Sequence, residues 1–132
     1  MKKEFKAEQK FLLMSPRKLR PVVALIKKMK PAEAVNKLPF VQRRAAKEIV
    51  KVIKAAMASA RAQGVSDADL VFAEIRIGEG PRLKRGIAVS RGQWHPIKKR
   101  MAHIRVILKS IKVEAKKEEV KEPEPVKKGT KK

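Results

Sequence analysis

The spacing of apolar residues changes twice along the chain, and each change predicts a different kind of secondary structure. Uncharged and charged residues alternate over 5–11, with Phe5, Ala7, Gln9 and Phe11 at the uncharged positions, which is the two-residue period of a strand. Apolar residues then recur every three or four positions in three successive segments, which is the period of helices. A two-residue period returns over 71–77 and again over 104–108. The first of these two runs is expected to place four residues on one face of a strand: Val71, Ala73, Ile75 and Ile77.

Proline and glycine mark the expected ends of the three helices. Ser15-Pro16 suits a first helical turn, because the Ser hydroxyl can accept a free amide and Pro needs no donor there. Pro31 and Pro39 bracket a short second helix. The third helix spans about 41–63, carries a continuous apolar stripe, and ends at Gly64. The pattern therefore predicts an α+β fold, with three helices packed on a small antiparallel sheet and a long extended β-hairpin.

The long segment between the last two strands has an unusual composition. Residues 78–101 are rich in Gly, Pro and basic residues and contain few large apolar ones, so they cannot form a core of their own. They are predicted to form an arm that continues the hairpin. With roughly 15 to 20 residues in each strand, the arm reaches on the order of 50 to 60 Å. Such an arm requires the surface of another molecule to order it.

The charge of the chain indicates what that other molecule is. The 132 residues include 35 Lys and Arg against 13 Asp and Glu, a net charge of +22, which points to a polyanionic partner. The absence of Cys excludes disulfides, thiolate zinc sites and a Cys nucleophile, and is compatible with a reducing cytoplasm. The apolar runs fall far short of the ~20 residues that span a bilayer, so no membrane segment is predicted.

The composition changes abruptly near the C-terminal end. Residues 114–132 contain seven Lys and five Glu with two Pro, and are predicted to be a disordered tail. Residues 1–113 are predicted to form a single domain, with the hairpin arm at about 70–113. Most of the positive charge belongs to this domain.

The arm itself is almost purely cationic. Residues 76–105 contain nine basic residues and one acid, Glu79, a density that suits contacts with phosphate groups. The alternative is a solvated hairpin edge that only prevents aggregation, although such surfaces usually mix both signs.

The roles of Trp94 and of the start of the first helix each have two interpretations. Trp94 could stack on a base or sugar, or could pack across the hairpin on Ile97 or Ile87. Ser15, Arg17 and Lys18 lie at a helix start, where free amides bind phosphate, but they could equally be solvated surface.

Residues for catalysis or metal binding are scarce. His95 and His103 have no further ligand at useful spacing, so no metal site is predicted. Asp67 and Asp69 lie in a turn, where Asp commonly bonds its own backbone rather than acting as a catalytic pair. No cofactor motif is present in the sequence, and no enzymatic activity is expected.

Several short motifs, in their order along the chain, resemble one known family, the bacterial-type large-subunit ribosomal protein twenty-two. The resemblance covers about residues 5–110. Its most specific part is the block from Glu-Gly-Pro to Lys-Arg in the arm. The motifs are Ser15-Pro16-Arg17-Lys18-Leu19-Arg20, Ala45-Ala46 through Ser59-Ala60, Glu79-Gly80-Pro81-Arg82-Leu83-Lys84-Arg85, Arg91-Gly92, and Lys99-Arg100 with His103-Ile104.

The resemblance implies a place in the cytoplasmic large ribosomal subunit. It implies a small domain near the peptide exit, with a hairpin that threads large-subunit rRNA and a tip that lines the nascent-peptide tunnel. The implied role is structural: the protein supports subunit assembly and contacts rRNA, neighbouring ribosomal proteins and the nascent polypeptide in transit. No enzymatic activity, cofactor or membrane is implied.

The resemblance and the physical arguments together define the expected site residues. The expected rRNA-binding residues are Ser15, Arg17, Lys18, Arg82, Lys84, Arg85, Arg91, Trp94, Lys98, Lys99 and Arg100. The expected tunnel-facing loop is Gly86, Ile87, Ala88, Val89, Ser90, Arg91, Gly92 and Gln93.

Two other function classes serve as alternatives on the residues alone. An architectural DNA-binding protein could grip the minor groove with a β-arm and wedge Pro96 or Trp94 into a base step, normally as a two-fold dimer. A small hydrolase would need convergent acid, base and nucleophile groups, which the arm does not offer.

Overall fold

Three helices pack on one face of a three-stranded antiparallel sheet in the computed structural model, which describes residues 4–111. The expected α+β class is therefore confirmed. The predicted tail, residues 114–132, lies outside the described residues. The elements follow in the order β1 (Glu4–Leu12), α1 (Pro16–Ile26), α2 (Pro31–Lys37), α3 (Arg44–Ala62), β2 (Leu70–Ala88) and β3 (Trp94–Ser110).

The last strand is the centre of the sheet. The strand order is β1-β3-β2, and β3 pairs antiparallel with both neighbours. Phe72 lies opposite Leu108 and Ile77 opposite Ile104, so the predicted pairing of the two late strands is confirmed. On the other side of β3, Phe5 also lies opposite Leu108. The first third of the chain therefore pairs with the last third through β3, and the sheet of the body is complete without the arm residues.

A bulge in β2 changes which side chains face the core. Phe72 pairs with Leu108 but Glu74 pairs with the adjacent Ile107, so Ala73 is an extra residue in this strand. Phe72 consequently packs against the core while Ala73 is exposed. The expectation that Val71, Ala73, Ile75 and Ile77 share one face is therefore wrong for the first two, because one inserted residue reverses the alternation.

A second irregularity ends the alternation in β1. The register shifts between Gln9 and Leu12, and Phe11 adopts a positive φ of 55°. Leu12 packs against the core, whereas Phe11 is 60% exposed and meets the ring of His103 edge-on at 5.0 Å. The Phe11 amide also donates to His103 Nδ1 over 3.0 Å. The chain thus leaves the sheet towards α1 at this point.

The apolar stripe of α3 forms the centre of the core. Every expected stripe residue is buried against the inner face of the sheet or against α1 and α2. On β3 the buried residues run from Leu108 back to Ala102, and beyond Ala102 the cluster contains no member from 78–101 within the described chain. The core therefore ends where the arm begins. The buried stripe consists of Ala45, Ile49, Val52, Ile53, Ala56, Met57 and Ala60.

Gly64 ends α3 as expected and starts the turn into β2. Its φ is +76°, a left-handed conformation that Gly adopts without strain. The Gly64 amide donates to the Arg61 carbonyl over 2.9 Å, and the Val65 amide donates to the Ala60 carbonyl over 3.1 Å. These bonds satisfy the last carbonyls of the helix. Arg61 Nε then donates to Asp67 Oδ1 over 2.8 Å, which ties the helix end to the short 3-10 turn before β2.

Replacing Asp67 with Asn is expected to destabilise the turn slightly at neutral pH. The hydrogen bond from Arg61 holds the pKa of Asp67 below its ordinary value of 3.8. A lowered folded-state pKa contributes stability above the unfolded pKa, and that contribution is lost as the pH falls through the folded value. Thermal unfolding should therefore show a small difference between the two proteins at neutral pH, which narrows below pH 3.8. A difference that persists undiminished in strong acid would contradict this role of Asp67. Asp69→Asn, measured in the same way, shows for comparison the effect of removing a neighbouring carboxylate.

Candidate nucleic-acid interface

The arm leaves the body at a second bulge in β2. Glu79 pairs with Ala102 but Arg82 pairs with Arg100, so one extra residue lies at Gly80-Pro81. A Cβ on Gly80 would lie 3.0 Å from the Met101 Cβ and 3.1 Å from its carbonyl carbon. Gly therefore lets the two strands approach closely without crowding Met101, and Pro81 suits a position where the ladder is interrupted. Beyond this point the strands continue to Ala88 and back from Trp94.

One face of the arm carries two rungs of like charge. Arg82 lies opposite Arg100, and Lys84 lies opposite Lys98. Because side chains alternate along a strand, these residues continue the face that Ala102 presents to the core. We call Arg82, Lys84, Lys98 and Arg100 the cationic ladder. Like charges directly opposite each other destabilise a sheet, so an anion on this face would stabilise the arm.

A cleft lies where this face meets the ends of two helices. It encloses about 790 Å³ and is lined by the loop before α1 and the start of α1, by the start of α3, and by residues 98–100 of β3 near the base of the arm. We call it the basic cleft. Seven of its lining residues are cations and none is an acid: Arg17, Lys18, Arg43, Arg44, Lys98, Lys99 and Arg100.

The cations of the basic cleft lack the counter-charges that other basic residues have. Lys37, Lys51 and Arg61 each form an ion pair with a nearby carboxylate. Glu79, the one acid of the arm, lies 3.8 Å from Arg20 and 3.5 Å from Arg82. Across residues 4–111, none of the seven cleft cations lies within ion-pair distance of an acidic side chain. Positive charge therefore accumulates in the cleft.

The two helix starts add to this positive potential. Both α1 and α3 direct their N-terminal ends at the cleft, and neither has a capping side-chain bond or an acid in its first turn within the described chain. Helices normally favour acids there, because the N-terminal dipole end is positive. Basic residues at both starts make sense when a bound anion supplies the missing negative charge.

The structure brings most of the predicted basic residues together. Ser15, Arg17 and Lys18 line the basic cleft beside Lys98, Lys99 and Arg100, although these two groups are about 80 residues apart in sequence. A smaller pocket of about 180 Å³ adjoins the cleft, and both Arg82 and Arg100 line it. Lys84 belongs to the cationic ladder.

Two predicted residues lie away from the cleft and the ladder. Arg85 pairs with Ile97 on the opposite face of the arm, and its Nη1 donates to the Lys84 carbonyl over 2.8 Å. Arg91 lies at the tip with a positive φ of 63°. Both side chains are exposed. They can therefore contact a second surface, separate from the one that the cleft cations face.

The tip is a tighter turn than the predicted loop. The strands extend to Ala88 and resume at Trp94, so only residues 89–93 form the turn, closed by the Val89 amide donating to the Gln93 carbonyl over 2.9 Å. Gly86, Ile87 and Ala88, which were expected to be loop, are strand residues. The two-residue alternation of the strands continues to Ala88, and the left-handed conformation of Gly92, at φ +68°, allows the short turn that lets the strands pair up to that residue.

Sequence reasoning missed Arg43 and Arg44 as site residues. Both residues lie off the apolar stripe of α3, and the pattern predicts no role for them because their proximity to β3 depends on tertiary packing. A signal was nevertheless present: two consecutive Arg residues at a helix start oppose the helix dipole. That local conflict indicates a functional surface.

The structure gives Asp67 and Asp69 ordinary structural roles in the turn before β2. Asp67 bonds Arg61, and the Ser66 hydroxyl donates to Asp69 over 2.5 Å. Within residues 4–111 no cluster of three acids or histidines is placed to hold a metal ion, and no helix is long and apolar enough to cross a membrane.

The fold and the site define a basic α+β protein whose body and protruding arm share one continuous cationic surface. Comparison with known proteins gives the family. The family model described as ribosomal protein L22p/L17e matches residues 7–109. The large ribosomal subunit protein uL22 of Myxococcus xanthus is 39% identical over 112 residues, which cover 83% of this chain and 98% of the relative. That of Desulfatibacillum aliphaticivorans is 41% identical over 106 residues, covering 80% and 97%.

The chain belongs to the ribosomal protein L22p/L17e family. It is therefore a structural constituent of the large ribosomal subunit in the cytoplasm, not an enzyme, and rRNA binding is consistent with the family. The resemblance found in the sequence motifs is confirmed. Both alternatives, the DNA-binding dimer and the hydrolase, are set aside.

Proposed function

We propose that the basic cleft and the cationic ladder bind the phosphate backbone of large-subunit rRNA and so fix the arm between RNA segments. The convergence of seven uncompensated cations from three separate elements carries this proposal. Nothing in the body of the protein requires those residues to lie together. Phosphate groups would relieve the repulsion that the folded chain otherwise retains.

The arrangement supports binding by shape as well as by charge. The arm is a ribbon of two long strands, 19 and 17 residues. One face carries the cationic ladder, and the other carries Leu83, Ile87 and Ile97 together with Arg85 and Lys99. A ribbon with two chemically different faces can lie between two RNA segments, or between RNA and a neighbouring ribosomal protein. Arg side chains suit this site because the guanidinium group forms two parallel bonds to a phosphate.

Binding to rRNA would also stabilise the protein and thereby support assembly. A ligand that binds the folded chain but not the unfolded chain shifts the folding equilibrium towards the folded state. Here that ligand neutralises the like charges that face each other in the ladder. The paired arm would therefore be stabilised further as the RNA folds around it.

The tip is proposed to lie where the nascent polypeptide passes. All residues of the turn 89–93 are exposed, and the tip lies far beyond the last core residue, Ala102. At about 3.3 Å per residue, the nine β2 residues from Gly80 to Ala88 alone reach about 30 Å past the body. A tip at that distance can line a tunnel while the body stays at the subunit surface.

Removing residues 86–95 is expected to leave the body folded. These residues contribute nothing to the hydrophobic core, and the segments that do, up to Ile77 and from Ala102, are untouched. Circular dichroism at 222 nm should retain the helical signal, and binding to rRNA should persist through the cleft. Loss of the helical signal would show that the arm and the body do not fold independently.

Sedimentation tests the proposed function in the cell. Tagged full-length chain should migrate with large subunits through a gradient and stay bound after a high-salt wash, because buried contacts are screened less than surface ones. Migration with chromosomal DNA, or release as a small dimer, would contradict the proposal. Release of the chain by salt from otherwise intact subunits would show that the interaction consists only of exposed electrostatic contacts.

A further inference from the structure

Trp94 occupies a special position on the arm. It is the first residue of β3, lies opposite Ala88, and shares the face of the cationic ladder two steps beyond Lys98. It is also the one Trp in a chain without Tyr. The packing of this ring differs from the expected contacts on Ile97 or Ile87.

The ring rests on the backbone of Gly86. A Cβ on Gly86 would lie 1.6 Å from Cζ2 and 1.8 Å from Cε2 of Trp94, so any other residue would displace the ring. The backbone of Gly86 is not left-handed, so no turn requires Gly at this position. Gly86 is explained by the space that the ring needs. The ribbon thus fixes one side of the indole.

The other side of the ring is open. Trp94 is 67% exposed even though it is packed on Gly86. An exposed aromatic ring held in one orientation has little further conformational freedom to lose on binding. Exposed rings beside cationic grooves are the usual surfaces on which bases of single-stranded nucleic acid stack.

The surrounding charges favour a nucleotide over other planar groups. Lys84 and Lys98 form the nearest charged rung on the same face, about 13 Å along the strand at roughly 3.3 Å per residue. A strand whose phosphates lie on this ladder brings its next bases to the ring. Bases within a paired helix are stacked on one another and offer only their edges, so the ring can receive only a base that has left the stack.

We propose that Trp94, held in place by Gly86, is a stacking platform for an unpaired nucleobase. The inference rests on the proposed rRNA binding and adds the chemical class of ligand that the distal arm selects. The arm then distinguishes RNA with an extruded nucleotide from uninterrupted duplex. The phosphate contacts alone would not make this distinction.

Intrinsic fluorescence of the full-length chain tests this directly, because the emission reports one ring. The probes are two RNA duplexes that are identical except that one carries a single bulged adenosine and the other is fully paired. The bulged RNA is expected to quench the emission and to bind about 5- to 150-fold more tightly, the usual effect of one stacked base. The paired RNA is expected to bind without quenching.

Variants separate this inference from the proposed function. Trp94→Leu should abolish the preference for the bulged RNA and leave the salt dependence of binding unchanged. Gly86→Val should weaken the preference by displacing the ring, whereas Ile87→Ala, on the opposite face, should leave it intact.

The possible failures are distinguishable. Equal affinities without quenching, with salt-dependent binding preserved, would overturn this inference alone. Loss of salt-dependent binding to both RNAs would overturn the proposed function as well. Quenching by an aromatic tripeptide and by neither RNA would assign the ring to the nascent chain and overturn the inference.

Discussion

The triple variant Arg17→Gln, Arg44→Gln and Arg100→Gln should bind rRNA about 100-fold more weakly at 0.15 M salt. One cation is removed from each of the three elements that line the basic cleft. Each cation that neutralises a phosphate adds about 0.7 to 0.9 to the slope of log affinity against log salt concentration. The slope of the variant should therefore be about two to three units shallower, which filter binding over a salt series measures.

A control variant with the same change in net charge shows whether location matters. Lys6, Lys37 and Lys51 lie outside the cleft and form ion pairs with Glu4, Glu33 and Glu48. Replacing these three Lys with Gln should change the slope by far less than the cleft variant does. Equal effects of the two triple variants would show that net charge alone governs binding and would contradict a defined site.

Gly80→Val should destabilise the fold by about 1 to 3 kcal/mol, the usual cost of overpacking. Its Cβ would lie 3.0 Å from the Met101 Cβ and 3.1 to 3.2 Å from the Met101 carbonyl group, where the two strands approach closely and no far end of a flexible side chain can move away. Relief of that clash would separate β2 from β3 at the base of the arm. RNA affinity should fall as well, because Arg100 and Lys98 follow directly on the displaced strand.

Gly78→Val is the matched control for this second prediction. It lies two residues earlier in the same strand, where a Cβ would make an ordinary contact of 3.6 Å with the His103 Cβ. Urea unfolding should show a clearly smaller loss of stability for Gly78→Val than for Gly80→Val. Similar losses at both positions would mean that the close approach at Gly80 is not what requires Gly there.

The regular parts of the fold could be predicted because each has a local signal. The apolar stripe of α3 repeats over many turns, and Gly64 supplies a left-handed stop. The pairing of β2 with β3 follows from two alternating runs of similar length. Burial then selects the register, since a slip of one residue would expose a whole face.

The bulges could not be predicted because they leave no periodic signal. One extra residue at Ala73, another before Leu12 and a third at Gly80 each reverse the alternation without changing the composition. The same holds for the strand content of the tip, where the family resemblance implied a loop from Gly86 onwards. The actual role of Gly86 depends on the ring of Trp94 across the ribbon.

The candidate site could also be predicted only in part. The basic residues of the arm are evident from their density, but their convergence with Arg43 and Arg44 depends on how α3 packs on the sheet. Long-range proximity of this kind has no signature in one sequence. The net charge therefore indicates a polyanionic partner, but only the fold shows that cations from separate elements converge in the basic cleft.

Ultraviolet crosslinking of the chain within intact large subunits, followed by mass spectrometry, shows which surface of the protein faces the RNA. If the basic cleft binds rRNA, RNA-linked peptides should come from the start of α1, the start of α3 and the arm part of β3, which contain Arg17, Arg44 and Arg100. Crosslinks confined to the outer face of the sheet, such as Lys6 and Lys109, with the cleft peptides unmodified, would contradict it.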